Sequence, residues 1–250
     1  MNLRIIPLEQ HDAAMNMAID EALLACIGKG DAPPTLRFYT WHPPAISLGY
    51  FQSLTEEVDL EACKKENIDM VRRVTGGGAV FHDQELTYSI ILPQQVLQKD
   101  ILPSYALLCG ALVKTFQEKK LDAQFVPIND IIVNNKKISG NAQTRRNGCI
   151  LQHGTILLDV DIDKMFSLLK VPDEKMKGKL IQHIKERVTS MQQQLQRKVQ
   201  PEELIPSLCK HFSDALHIPF QEGTYSEEEW NRALFLKKTK YLNNTWNAMR

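Results

Sequence analysis

Three short stretches hold the residues best able to do chemistry. Arg72 to Asp83 reads RRVTGGGAVFHD, Asn129 to Gln143 reads NDIIVNNKKISGNAQ, and Leu151 to Thr155 reads LQHGT. Consecutive glycines lose much conformational freedom on folding, so an ordered run needs a reason. Turn geometry alone is one. A ligand loop is the other: bare backbone N–H groups form an anion nest, and Arg72 and Arg73 add the fork that suits phosphate or carboxylate. Neither G-x-x-x-x-G-K-[ST] nor a helix-opening G-x-G-x-x-G is present, so a P-loop or dinucleotide fold is not expected.

In the second stretch, alternation along a strand sends Lys136 and Lys137 to opposite faces, so only one can point at a shared site. That lysine is either a solvated edge residue or a charge set against an anion. His153 falls mid-strand and His82 at a strand end; each reads as a satisfied structural histidine or as a ligand contact. Cys149 precedes His153 by four residues, about 13 Å along a strand, too far for a thiol–imidazole pair. Cys149 therefore reads as a small packed residue.

The elements that must position these groups are legible in part. Residues 12 to 27 carry Met15, Ala18, Ile19, Leu23 and Ile27 at helical spacing behind Asp12 as a cap, which predicts an amphipathic helix. TLRFYTW, AISLGYF, MVRRV, AVFHD and LTYSIIL are β-rich runs broken by Pro43-Pro44, Gly49 and the glycine run. A helix is expected over 103 to 119. Asn134-Asn135 supplies the turn of a hairpin, and CILQHGTILLDV a further strand. From Asp163 the pattern is helical, with helices near 178 to 188, one opened by Pro201, and one begun at Ser226 with Glu229 completing a capping box. With 250 residues, no repeat and no long linker, one mixed α/β domain over 1–250 with a helical C-terminal portion is expected.

Lysine plus arginine and aspartate plus glutamate both number 30, so no global field points to nucleic acid or membrane. No segment approaches the roughly 18 apolar residues of a spanning helix, and the N-terminus does not read as a signal peptide. Five cysteines, odd in number and never in Cys-x-x-Cys, argue against a disulfide framework or zinc site and suit a reducing compartment. The cytoplasm is the expected location.

Taken in series, RRVTGGGAVFHD, NDIIVNNKKISGNAQ and LQHGTILLD resemble the lipoate-protein ligase family and its relatives, the biotin ligases and octanoyltransferase-like enzymes. NMAIDEALL, LRFYTWHPPAISLGYFQ and YLNNTWN resemble it too, so the likeness covers nearly the whole chain. The resemblance implies an α/β (α+β) catalytic domain with a mixed, mostly antiparallel sheet flanked by helices. It implies activation of lipoate or octanoate with ATP and Mg²⁺, then transfer to one lysine of a lipoyl domain. Acceptors would be acyltransferase subunits of 2-oxoacid dehydrogenases or the glycine-cleavage H protein. On this basis Lys137 is the catalytic candidate. Arg73, Gly76, Gly77, Gly78, Ala79, Val80, Phe81, His82, Asp130, Gly140 and His153 are candidates for binding the acyl group or nucleotide, with no protein-held metal. Ala79 to Phe81 would line the acyl chain, while His82 and Asp83 support the loop.

Two departures from the family pattern matter. Full-length ligases carry a further small C-terminal domain, whereas this sequence stops soon after Trp246-Asn247, so a separate small accessory subunit is expected. Other stretches look closer to the octanoyltransferase branch, whose members use a cysteine placed shortly before the lysine hairpin. Here that stretch is AQFVPINDIIV, without a thiol. The adenylating ligase is therefore the favoured expectation. Acyl transfer from a carrier protein and a non-catalytic lipoyl-binding homologue are the alternatives.

Overall fold

The computed structural model describes residues 1–97, 100–170 and 177–250. The chain opens with strand β1 (Leu3–His11) and helix α1 (Ala13–Lys29), followed by β2 (Thr35–Trp41) and β3 (Ala45–Leu48). Short helices α2 (Leu54–Glu57) and α3 (Leu60–Lys65) lead to β4 (Asp69–Arg72), β5 (Val80–His82) and β6 (Glu85–Pro93). Helix α4 (Ile101–Glu118) precedes β7 (Ala123–Val126), β8 (Asp130–Val133), β9 (Lys136–Arg146) and β10 (Cys149–Leu157). The remainder is mainly helical: α5 (Ile162–Leu168), α6 (Lys177–Arg187), α7 (Met191–Leu195), α8 (Ile205–Leu216), strand β11 (Phe220–Glu222), α9 (Glu227–Leu236) and α10 (Asn244–Asn247).

Eight strands form one mixed sheet in the order β11-β1-β2-β6-β10-β9-β8-β7, and β4-β3-β5 form a small second sheet. In the large sheet only the β11–β1 and β1–β2 pairs are parallel. Alternation divides its faces. Leu36 and Phe38 of β2, Leu86, Tyr88 and Ile90 of β6, and Ile150 and Ile156 of β10 pack with α4 and α8 in the largest core cluster. The intervening residues face α1 and the small sheet, and this second face carries the candidate site.

Asp12 caps α1 as the sequence predicts, accepting from the Met15 N–H at 2.7 Å, and Gly30 ends it in the left-handed conformation. The helix is not one-sided, however. Ala13 to Asp20 are all buried, because the sheet lies under the helix while α9 and the turn after it cover its back. Asn134 and Asn135 both adopt positive φ, so the expected hairpin turn joins β8 and β9. Pro201 opens a single 3-10 turn, Pro201–Glu203, closed by a Gln200/Glu203 capping box, and α8 begins only at Ile205. The Ser226/Glu229 capping box is present at the start of α9. Among the described residues no helix is long and apolar enough to cross a membrane.

Candidate active site

A cavity of about 430 Å³ opens between the large sheet, the glycine loop and α5–α6. That volume lies in the ordinary range for a small-molecule site, about 300–1,000 Å³. Its inner end is built by Met17 of α1, Tyr39 and Trp41 of β2, and Thr87 of β6. Its wall comes from Gly77, Gly78, Ala79, Val80 and Phe81, and its outer rim from Asn129, Lys137, Ile184 and Val188. Of the sequence candidates, Arg73, Gly77, Gly78, Ala79, Val80, Phe81, His82, Lys137, Gly140 and His153 all border this space. Gly76 lies in the loop just outside it, and Asp130 reaches it through Lys137.

A register slip aims the lysine. Along the β8–β9 ladder Ile131 pairs with Ser139 but Ile132 pairs with Lys137, leaving Ile138 as an extra residue. Strict alternation would put Lys136 on the face of Gly140 and Ala142. The bulge reverses the parity and brings Lys137 there instead. The Lys137 Nζ then lies 2.7 Å from Asp130 Oδ1, with both side chains partly exposed. Gly140 leaves the groove in which this lysine lies, since a Cβ there would come within 3.1 Å of Lys137 Cε and Nζ.

Arg73 organises the glycine loop. Its Nη2 donates to the carbonyls of Gly76 (2.9 Å) and Gly78 (2.8 Å), and its Nη1 to Ser47 O and Oγ. Its Nε donates to Thr75 Oγ1 at 3.1 Å. The guanidinium is thus bonded within the protein at every nitrogen, and burial lowers its pKa to about 10. Two relays leave it. Thr75 Oγ1 meets His153 Nε2 at 2.7 Å, and His153 Nδ1 meets Asp20 Oδ2 at 3.1 Å. Ser47 Oγ meets His82 Nε2 at 2.7 Å, and His82 Nδ1 meets Glu85 Oε1 at 2.6 Å. A carboxylate can only accept, so each imidazole carries its proton on Nδ1.

Burial pushes the His153 pKa down despite the nearby Asp20. Burial alone would raise Asp20, but the hydrogen bond from His153 and the charge of Arg37 hold it below the usual range. Arg37, fully buried on β2, donates to Asp20 Oδ1 at 2.8 Å and to both oxygens of Asn16 at 3.0 Å. Trp41 stacks on His82 with centroids 3.9 Å apart and donates to Thr87 Oγ1. The inner cavity is thereby a rigid aromatic and aliphatic slot, suited to a slender apolar chain. Trp41, Thr87, Tyr39, Met17 and the Asp20–Arg37 pair were missed by motif reading. The signal was Asn16 and Asp20, two polar residues four apart inside an apolar helix.

Cys26, Cys63, Cys109, Cys149 and Cys209 are all buried, and none borders the cavity among its described lining residues. Burial raises every one of these thiols, Cys109 and Cys209 to about 12.

Residues 12–213 match the model of the lipoyl protein ligase A/B catalytic domain. The chain belongs to this lipoyl protein ligase A/B family. Within it, the chain is 36% identical to the octanoyltransferase LipM of Brevibacillus brevis, over 99% of both chains. It is 35% identical to the bipartite lipoate protein ligase of Thermoplasma acidophilum, a structure solved as part of a lipoylation system with its E2 lipoyl domain. That likeness has a TM-score of 0.89 and covers 99% of this chain and 96% of that one. A lipoate-protein ligase A solved with ATP is 33% identical, with a TM-score of 0.85 and coverage of 99% of both chains. The family relationship accounts for the mixed sheet flanked by helices and for an enzyme of the ligase/octanoyltransferase kind. The octanoyltransferase name of the curated relative also weighs against taking ATP-dependent activation as given.

Proposed function

We propose that residues 1–250 form one catalytic unit that attaches a lipoyl or octanoyl group to a lysine of lipoyl-domain proteins, activating the free acid with ATP. The observation that carries this reading is a positively charged side chain, Lys137, over an apolar slot with no thiol in reach. In the first half-reaction a carboxylate oxygen attacks the α-phosphorus, and pyrophosphate leaves. Two anions must approach, so a fixed ammonium lowers the barrier without acting as nucleophile. In the second, a neutral acceptor amine attacks the acyl carbonyl, the C–O bond to AMP breaks, and the amine's proton passes to solvent. Lys137, held by Asp130, stabilises the leaving phosphate in both.

Ala79, Val80 and Phe81 line the acyl chain, Gly76 to Gly78 let it approach the backbone, and Arg73, His82 and His153 hold that wall in place. Magnesium would arrive with ATP, bound mostly through phosphates; among the described residues no cluster of histidine, cysteine, aspartate or glutamate forms a cage for it.

The second reading is transfer of octanoate from a carrier protein, and the name of the B. brevis relative supports it. The absence of an accessible thiolate disfavours that route when it runs through a cysteine. The same chemistry suits a cytoplasmic enzyme. It suits acceptors of the 2-oxoacid dehydrogenase and H-protein kind, and a small accessory subunit.

Pyrophosphate exchange with ATP, measured with lipoate or octanoate and with or without such a subunit, tests the reading. Exchange is expected, with Lys137→Ala reducing it by about 10²–10³-fold, the scale of a lost charge-stabilising donor. Cys149→Ala is expected to keep most activity. Transfer from octanoyl carrier protein without any exchange would establish the second reading instead.

A further inference from the structure

The face of the large sheet that packs on α4 carries, among apolar neighbours such as Ile90 and Ile150, a chain of buried amides and one phenol. Tyr88 of β6 and Gln152 of β10 are fully buried, and Asn141 of β9 nearly so. Strand register lines them up. Gln152 lies opposite Gln143, and Gly154 lies between Tyr88 and Asn141. Without a side chain at Gly154 the phenol reaches across it; a Cβ there would stand 2.0 Å from Asn141 Oδ1.

Each bond of the chain fixes the sense of the next. Gln143 Oε1 accepts from Ser104 Oγ at 3.1 Å and Arg145 Nε at 3.4 Å, and Gln143 Nε2 donates to Gln152 Oε1 at 3.0 Å. Gln152 therefore turns its Nε2 to the Tyr88 oxygen, 2.8 Å away. Burial pushes the phenol's pKa well up, so it keeps its hydrogen, and that single hydrogen goes to Asn141 Oδ1 at 2.7 Å. With Oδ1 taken, Asn141 Nδ2 is left to donate to Asn129 O at 2.9 Å. The Asn129 carbonyl also accepts the Asn141 N–H at 3.0 Å, and Asn129 Nδ2 returns a bond to Asn141 O at 2.5 Å.

Asn129 and Asn141 are thus clamped together just beyond the last pair of the β8–β9 ladder, Asp130 with Gly140. Asp130, the next residue, is the one that holds Lys137 Nζ. Buried polar groups gain little stability over a packed apolar core, and each one left unpaired is costly. A fully bonded chain of them instead fixes one geometry.

We propose that Tyr88 is a positioning residue for acyl transfer: through Asn141 and Asn129 it sets Asp130, and so the place of the Lys137 ammonium, without itself bordering the cavity. This rests on the role given to Lys137 above. The test is a double-mutant cycle of Tyr88→Phe with Lys137→Ala in the full chain, read in whichever reaction the wild type performs, pyrophosphate exchange or transfer from octanoyl carrier protein.

Tyr88→Phe alone is expected to lower kcat about tenfold, the scale of a misplaced group, and to leave KM for the acyl substrate within about twofold, since the slot is untouched. In the Lys137→Ala background it causes no further loss. Ile150→Val, a core change on the same face outside the chain of bonds, keeps kcat even where its Tm falls as far. Losses that multiply in the double variant overturn the inference alone, whereas full activity in Lys137→Ala sinks the role of Lys137 and the inference with it. Hydrogen exchange of the Asn141 amide reads the clamp without any assay of turnover. It should quicken in Tyr88→Phe and not in Ile150→Val; unchanged exchange in Tyr88→Phe overturns the proposal. Gln152→Met, which removes the donor that orients the phenol, carries the same cycle and the same exchange measurement if Tyr88→Phe does not fold.

Discussion

His153 gives the candidate site a pH dependence that can be worked out in sign. Its pKa in the folded protein lies below the ordinary 6.5 because burial disfavours the imidazolium. As pH falls below about 6.5 the unfolded chain therefore binds more protons than the folded one, and stability declines. The stability is fully present above 6.5 and is lost progressively towards the lower folded pKa. Thermal melts from pH 7.5 to 5 should show a falling Tm in the wild type and a shallower fall in His153→Gln. Equal slopes would mean that His153 is not the group responsible. The histidine itself was visible in LQHGT, but its partners were not: Thr75 and Asp20 lie 78 and 133 residues away. Such pairings arise only when strands from distant parts of the chain share a face. Local spacing carries no record of them.

At the scale of the element, what could be read and what could not divide at β9. The Asn134-Asn135 turn was legible because two residues tolerant of positive φ interrupt a β-rich run. The bulge at Ile138 was not, since KKIS alternates as well with a regular ladder as with a slipped one. It is nevertheless the bulge that selects Lys137 over Lys136. Glycines on the two neighbouring strands should then respond differently to a methyl group. In Gly140→Ala the added Cβ presses on the flexible end of Lys137, at 3.1 Å, and otherwise makes an ordinary 3.7 Å contact with Asp130 Oδ1. Tm should hardly change, while displacement of Nζ lowers turnover by roughly tenfold. In Gly154→Ala the Cβ would lie 2.0 Å from Asn141 Oδ1 and 2.9 Å from Tyr88 Cε1, inside a bonded core. That variant should lose about 1–3 kcal/mol of stability. Urea denaturation alongside the transfer assay separates the two; matching losses of stability would refute the lysine-groove account.

Across the whole molecule, the two arginines that open the glycine motif divide the work. Arg73 faces inward and holds the loop, whereas Arg72 ties the loop to the far end of the chain. Arg72 Nη2 donates to Asn247 O and its Nε to Trp246 O, while Trp246 Nε1 returns a bond to Arg72 O. Asn247 completes the clamp from its side chain: Oδ1 accepts the Arg72 N–H at 2.8 Å, and Nδ2 donates to Tyr241 O. The terminal YLNNTWN motif thus supports the cavity without touching it, by fixing the strand and turn on which the glycine loop stands. Asn247→Ala would leave a buried N–H and a carbonyl without partners, at a cost of about 1–3 kcal/mol. For a chain of this size each kcal/mol lowers Tm by about 2–4 °C. A fall of several degrees is therefore expected. It should come with weaker acyl-substrate binding at temperatures where the variant is still folded, because the loop loses its anchor before the sheet does. An unchanged Tm would show that Arg72 is held well enough by the bonds of its Nη1 to the Gly49, Tyr50 and Gln52 carbonyls alone. A lower Tm with unimpaired acyl binding would confine the clamp to stability and cut the link from the C-terminal motif to the site.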